Sequence, residues 1–330
     1  MLILAKSILG LTIAFVLAVI AGLFLLPVLK KINFRQNISR YITERHLLKE
    51  GTPTIGGLIF IIPVILTMLF LYIRGSLEIS SSIIIVLFVF ASYSILGFVD
   101  DIIKIRRHDN EGLSVVQKLI AQVLIAVVFF YIYMKDGGST HLIITSLGID
   151  WDLKWFYGLF ILFLLVGSSN AVNITDGEDG LAGGLSAIAF LSFGIISWGT
   201  TWVKGYQEIA IFCFVLVGAL LGFLVYNSHP AKVFMGDTGS LGLGATLAAV
   251  AILTKHELSL AIIGGVFIVE TLSSFFQMIS IIKFNKKLFL MAPLHHHFEA
   301  MGWPEQDIVK MFWIVGFILG MAAIYYGVWL

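Results

Sequence analysis

Five short stretches of the 330-residue chain carry side chains able to do chemistry. Asp100-Asp101 closes an apolar run after Gly97-Phe98-Val99. Asn170-Ala-Val-Asn173-Ile-Thr-Asp176-Gly177-Glu178-Asp179-Gly180 is a tight polar loop. Asn227 to Asp237 ends in Lys232-Val-Phe234-Met-Gly236-Asp237. Pro293-Leu-His295-His296-His297-Phe-Glu299 holds three adjacent imidazoles, and His46-Leu-Leu-Lys49 precedes Thr52-Pro53-Thr54-Ile-Gly-Gly57. Carboxylates of this kind suit a divalent cation such as Mg²⁺, which takes one or two of them together with substrate phosphate and water. Lysine and histidine suit phosphate, and histidine also serves as a general acid or base. Backbone N–H groups at a helix start, as after Gly236, favour anions. These parts fit metal-assisted phosphoryl transfer, where catalysis is largely positioning and charge neutralisation. Walker A spacing is absent, which argues against nucleoside triphosphate hydrolysis.

Each stretch also has a structural reading. Asp100 pairs with Lys104 at i+4 if it merely ends its helix. Consecutive helical residues point ~100° apart, so Asp100 and Asp101 are expected to have different neighbours and different jobs. Asp176 to Gly180 also has a reading as a solvated turn, and Asp237 one as the N-cap of the next helix. Thr52 before Pro53 reads as an N-cap with proline at N1. Glu270 and Gln277 are intramembrane polar residues that either line a groove or bond between helices. Three adjacent histidines do not easily converge on one metal.

The elements that position these residues are apolar. Hydrophobic residues make up 59% of the chain and charged residues 12%, against ~25% in soluble domains. Mean hydropathy is +0.99, which excludes a soluble globular enzyme. The net charge of +1 names no partner, and a nucleic-acid partner is not expected. Cys213 is the single cysteine, so an intrachain disulfide is impossible. The apolar N-terminus runs into Lys30-Lys31 and reads as a retained helix rather than a signal peptide.

Ten segments meet the ~20-residue requirement for a spanning helix: 3–29, 54–73, 79–99, 115–134, 155–172, 181–199, 208–227, 240–254, 258–282 and 308–329. The expected fold is an all-α polytopic membrane protein, a single domain over 1–330. Assigning the 21 lysines and arginines to their nearest loops puts 15 on one side and 6 on the other. The richer side is the cytoplasmic one, which leaves both termini outside. All five chemical stretches fall on that inner face, so one site at the inner membrane surface is expected. The outer loop 135–154 alternates around Gly148 and predicts a small hairpin.

In order and spacing, the motifs Thr52-Pro-Thr-Ile-Gly-Gly57, Phe98-Val-Asp-Asp101, Asn170 to Gly184, Lys232-Val-Phe-Met-Gly-Asp237 and Pro293-Leu-His-His-His-Phe-Glu299 resemble the phospho-N-acetylmuramoyl-pentapeptide-transferase family, within the polyprenyl-phosphate N-acetylhexosamine-1-phosphate transferases. The resemblance implies a Mg²⁺-dependent enzyme of the bacterial plasma membrane. It would move phospho-MurNAc-pentapeptide from UDP-MurNAc-pentapeptide to undecaprenyl phosphate, giving lipid I and UMP. It implies Asp237 as metal ligand and Asp100, Asp101, Asp237 and His295 as catalytic, with Asp100 handling the lipid phosphate. It assigns Asn173, Asp176, Gly177, Asp179 and Phe234 to a uridine pocket. Lys49, Thr54, Lys118, Asn227, Gln277, His296 and His297 would contact the rest of the substrate, and His46 matches a position of uncertain role. Two positions depart from the family pattern, Ile55 and Glu178. Glu178 is accordingly discounted as a metal ligand. A homodimer is compatible with the family. The remaining alternatives are a sister transferase using UDP-GlcNAc and, from another class, a secondary transporter, whose site would sit near the midplane on repeated broken helices.

Overall fold

The computed structural model describes residues 2–31, 51–107, 111–144, 148–199 and 206–329. Among them are twelve helices and one two-stranded sheet: α1 (Leu2–Lys31), α2 (Leu58–Ile73), α3 (Ser81–Arg107), α4 (Val115–Lys135), β1 (His141–Ile144), β2 (Ile149–Asp152), α5 (Phe156–Thr175), α6 (Leu181–Gly199), α7 (Tyr206–Asn227), α8 (Gly236–Leu253), α9 (Glu257–Ile263), α10 (Gly265–Phe284), α11 (Leu294–Ala300) and α12 (Glu305–Trp329). Nine of the described helices are long and apolar enough to cross a membrane. All ten expected segments contain helix, but two differ from expectation. The segment 258–282 is interrupted at Gly264, which separates α9 from α10. The second segment yields only the 16-residue α2, short of the others.

The late start of α2 has a local cause. Residues 53–57 pair with the strand-like run before α8 instead of coiling: the Phe234 N–H donates to Pro53 O, and the Gly56 and Gly57 N–H groups donate to the carbonyls of Phe234 and Met235. Ile55 takes a left-handed φ of 67° to allow it. Thr52-Pro53 is therefore not the cap of a helix, contrary to the expectation from sequence.

Helix α8 is the axis of the bundle. Every residue from Asp237 to Ile252 is buried, and it packs against α3 and α5 along its length. Its composition explains this. Glycine and alanine recur through Gly236-Asp-Thr-Gly-Ser-Leu-Gly-Leu-Gly-Ala, and in a membrane small residues let helix backbones approach closely. The closest approach is at Gly97 of α3, where any Cβ would collide with the Asp237 carbonyl. Polar side chains join the same helices: the Tyr93 hydroxyl donates to Gln122 O at 3.0 Å, and Asn170 Nδ2 to Gln122 Oε1 at 3.1 Å, tying α3, α4 and α5. Helix α7 packs on α1 and α6, and α12 covers α6.

The expected hairpin is present, with His141 opposite Asp152 and Ile144 opposite Ile149. It is fastened near the far end of α8: Lys255 Nζ donates to Ser139 O at 3.2 Å and to the Tyr157 hydroxyl at 2.7 Å, and pairs with Glu257 at 3.2 Å.

Candidate active site

At the N-terminal end of α8 three carboxylates converge. Asp100, Asp101 and Asp237 each offer an oxygen within 4.8 Å of the others, and all three are buried. They reach this point from different elements. Asp100 and Asp101 lie near the end of α3, and Asp237 is in the first turn of α8.

The two aspartates of α3 are bonded differently, as their divergence on a helix requires. Asp101 accepts from the backbone N–H groups of Asp237 (3.2 Å) and Thr238 (2.9 Å) and from the Thr238 hydroxyl (2.6 Å). It caps α8 from outside, satisfying donors that a helix start leaves orphaned. A carboxylate there also complements the positive end of the helix dipole. Gly236, with φ of 72°, passes so close to Asp101 and to Thr54 Oγ1 that a side chain would meet both. Thr54 is thus part of the packing behind Asp101.

Asp100 faces the other way. Its Oδ1 accepts the Leu113 N–H at 2.8 Å, and its Oδ2 lies 2.7 Å from Lys104 Nζ and 3.3 Å from Lys118 Nζ. Both lysines also reach Asp237 Oδ2, Lys118 at 2.6 Å and Lys104 at 3.2 Å. Asn173 Nδ2 donates to Asp237 Oδ1 and to Ser240 Oγ, each at 2.8 Å. Asp100, Lys104, Lys118, Asn173 and Asp237 line one cavity of about 610 Å³. Arg107, Glu111, Gly112, Leu113, Ser114, Val115 and Gln117 complete its lining. The wall is fixed by the N-terminus of α4, where Ser114 and Gln117 make a reciprocal capping box.

The donor set suits a hard divalent cation. Asp101 is engaged by the helix start, while the Asp100 and Asp237 oxygens meet flexible ammonium groups that can yield to a metal. Two lysines against three carboxylates leave the cluster short of positive charge.

The loop after α5 lies beside this cluster. Burial and the neighbouring carboxylates of Asp237, Asp101 and Asp179 push the Asp176 carboxyl up to about 8. Asp179 accepts from the Ala231 N–H at 2.9 Å and meets His229 Nδ1 at 3.1 Å, while its own N–H donates to Glu305 at 2.7 Å. Asn227 Nδ2 donates to Val233 O at 3.0 Å, closing the turn that leads to Phe234. Asp179 and Asn227 therefore hold loops together, and neither lines the cavity.

The three histidines take three separate partners. His295 is fully buried, and its Nδ1 lies 2.8 Å from Glu270 Oε2. Its other ring nitrogen abuts Gly177. Burial lowers its basicity, against the opposing pull of Glu270. His296 Nδ1 is 3.0 Å from Glu299, with Glu178 at 3.9 Å. His297 Nδ1 accepts the Leu290 N–H at 3.1 Å. Gln277 accepts from the Leu288 and Phe289 N–H groups and donates to Phe289 O, so its amide organises the loop before α11. Glu178, His296 and Glu299 also bring ligand-type atoms within 4.8 Å of one another.

Of the residues marked from sequence, Asp100, Lys118, Asn173 and Asp237 share the cavity. Asp101 and Thr54 stand behind it. Phe234 does not line the cavity, and its backbone is held by bonds to Pro53 and Gly56. His295, His296, His297 and Gln277 form an adjoining group, with Gly177 as the contact between that group and the loop. His46 and Lys49 lie outside the described residues. Sequence reasoning left Lys104 out of the site, although its i+4 spacing from Asp100 was visible, and it did not connect Glu270 to the histidines.

Residues 83–255 match glycosyl transferase family 4. The chain is 46% identical over 325 residues to a phospho-N-acetylmuramoyl-pentapeptide-transferase of Geobacillus thermodenitrificans (strain NG80-2), covering 98% of each chain. It is 46% identical over 316 residues to the protein of the same name from Bacillus subtilis (strain 168), covering 96% of each.

Proposed function

Because the chain belongs to glycosyl transferase family 4 and, within it, to the phospho-N-acetylmuramoyl-pentapeptide-transferases, we propose that the cavity between α3, α4, α5 and α8 is where the sugar phosphate changes hands. The enzyme transfers phospho-N-acetylmuramoyl-pentapeptide from UDP-MurNAc-pentapeptide to undecaprenyl phosphate, yielding lipid I and UMP, the first membrane step of peptidoglycan synthesis. A phosphate oxygen of the lipid attacks the β-phosphorus of the donor. The bond from that phosphorus to the bridging oxygen breaks, and UMP leaves with the electron pair.

The observation that carries the site assignment is the meeting of Asp100 and Asp237 with Lys104, Lys118 and Asn173 in one cavity. Asp237 would hold Mg²⁺, which when bound offsets phosphate charge as a Lewis acid. Lys104 and Lys118 neutralise the phosphates from the protein side, which is where electrostatic catalysis of phosphoryl transfer resides. Asp100 takes the proton of a lipid phosphate that arrives protonated. Asp101 contributes by fixing the α8 N-terminus, and through it the rotamer-bearing backbone of Asp237. The loop Asp176 to Asp179, with Phe234, receives the uridine. Direct attack is favoured over a phospho-aspartyl intermediate, because an ionised phosphate is already a competent nucleophile.

The multi-pass membrane body suits a lipid acceptor that enters sideways from the bilayer. The excess of lysine and arginine in the loops on the cavity side supports a cytoplasmic face, where a nucleotide-linked donor is found.

The test is UMP release by the detergent-purified protein given UDP-MurNAc-pentapeptide, undecaprenyl phosphate and Mg²⁺. Release that requires all three and is lost in Asp237→Ala is expected. Turnover with UDP-GlcNAc instead would move the donor assignment to the sister transferases. A phospho-aspartyl protein trapped with donor alone would replace direct attack by two steps.

A further inference from the structure

The loop Asp176 to Asp179 meets a buried imidazole whose orientation is set by a glutamate of α10. Glu270 of α10 and His295 of α11 are both fully buried. Glu270 spans two donors of one residue: its Oε1 is 3.1 Å from the His295 backbone N, and its Oε2 is 2.8 Å from His295 Nδ1. A carboxylate accepts only, so the proton of the imidazole sits on Nδ1. His295 Nε2 is buried and has no hydrogen-bond partner among the described residues. It faces Gly177, where a Cβ would collide with it. Burial disfavours a second proton on the ring. The neutral ring therefore presents a lone pair to the loop. The other tautomer would place an N–H there, against a Cα that cannot accept it. Which nitrogen carries the proton is set by the bond the other one makes.

We propose that Glu270 is a positioning residue for the transferase: by fixing His295 as the Nδ1–H tautomer it seats Gly177, and with it the Asp176 to Asp179 loop, in the geometry that binds the uridine diphosphate half of the donor. This rests on the reading of that loop as the nucleotide site. Glu270 touches neither substrate in this account. It acts through His295.

Glutamine at 270 supplies one acceptor where glutamate supplies two, so one of the two His295 donors is left facing an N–H group. Glu270→Gln is expected to lose the Nδ1–H tautomer and to raise KM for UDP-MurNAc-pentapeptide about tenfold, by analogy with the loss of the partner that orients a metal-bound histidine. KM for undecaprenyl phosphate should stay within about twofold, since that substrate meets the Asp100 side of the cavity. The tautomer is read by ¹⁵N-histidine NMR in detergent, with His295→Gln to assign the resonance. Gly177→Ala presses on Nε2 from the opposite side with the dyad intact. It should raise the same KM and leave the tautomer unchanged, which covers the case of a poorly folding Glu270 variant.

A wild-type His295 protonated on Nε2, or a tautomer indifferent to Glu270→Gln, overturns the proposal. So does an altered tautomer with an unaltered donor KM. Calorimetric UMP binding to Asp176→Asn separates the two layers. If UMP binding is weakened there but unchanged in Glu270→Gln, the role of the dyad is overturned. If UMP binding is unchanged in Asp176→Asn, the loop reading fails, and the proposal fails with it.

Discussion

Lys118 of α4 places its Nζ 2.6 Å from the Oδ2 of Asp237, across 119 residues of sequence. Lys104 joins it at 3.2 Å from the same oxygen. Two ammonium groups thus stand among the carboxylates that would hold a divalent ion. Both groups have long flexible stems, and each can turn from carboxylate to phosphate as substrate and metal arrive.

The competition this implies has a measurable sign. Lys104→Met removes one cation from the carboxylates, so the affinity for a divalent ion should rise while catalysis falls. A loss of about 10²-fold in kcat/KM is expected, typical of removing one group that stabilises transition-state charge. Mn²⁺ binding followed by electron paramagnetic resonance should show a lower Kd than the unaltered protein. Weaker ion binding would mean that Lys104 supports the metal instead of competing with it.

Gly97→Ala tests the approach of α3 to α8. Its methyl group would strike the Asp237 carbonyl, and overpacking of this kind costs about 1–3 kcal/mol. Because the displaced backbone carries Asp237, activity should fall further than the loss of stability explains. Thermal unfolding in detergent and UMP release, measured on the same preparation, check this.

Asp176 predicts a pH trend. Burial and the carboxylates of Asp237, Asp101 and Asp179 push its carboxyl up to about 8 in the folded protein, against about 4 for an ordinary aspartate. Between those pH values the native state keeps a proton that the unfolded chain has released. Stability therefore declines with rising pH through that window. Asp176→Asn cannot ionise and should show a flatter profile, with its advantage growing from about pH 4 to pH 8. Melting temperatures across pH 5–9 for the two proteins would reveal the difference. Parallel profiles would refute it.

The far end of α8 offers a contrasting case. Glu257 is buried and pairs with Lys255, and the Tyr157 hydroxyl donates to it. Burial pulls the Lys255 ammonium below its ordinary range, opposed by Glu257. Lys255 stays partly exposed, so removing its partner costs less than the ~3–5 kcal/mol of a fully buried pair. Glu257→Ala should lower the melting temperature and loosen the hairpin. It should leave KM for both substrates unchanged, because ~27 Å of helix separates it from Asp237 at 1.5 Å per residue.

Much of this molecule is legible in its sequence. Apolar runs long enough for a bilayer announce the helices, because lipid leaves few alternatives to an internally bonded backbone. Polar motifs stand out against that background, so Asp100, Asn173, Asp237 and the histidines could be marked without a structure. The divergence of Asp100 and Asp101 was also readable, since helical geometry fixes the angle between neighbours. What the chain could not announce is which aspartate is engaged elsewhere. Asp101 is occupied by the start of α8, 136 residues away, and Asp100 is left to the lysines. The same holds for Glu270, which reads as one more intramembrane polar residue until α11 folds back to place His295 against it. Periodicity reports neighbours within a turn or two of helix. The partners of a buried charge are chosen by how helices pack, and that choice was made in three dimensions by glycines such as Gly97, which lets the backbones of α3 and α8 meet, and Gly177, which leaves room for the His295 ring.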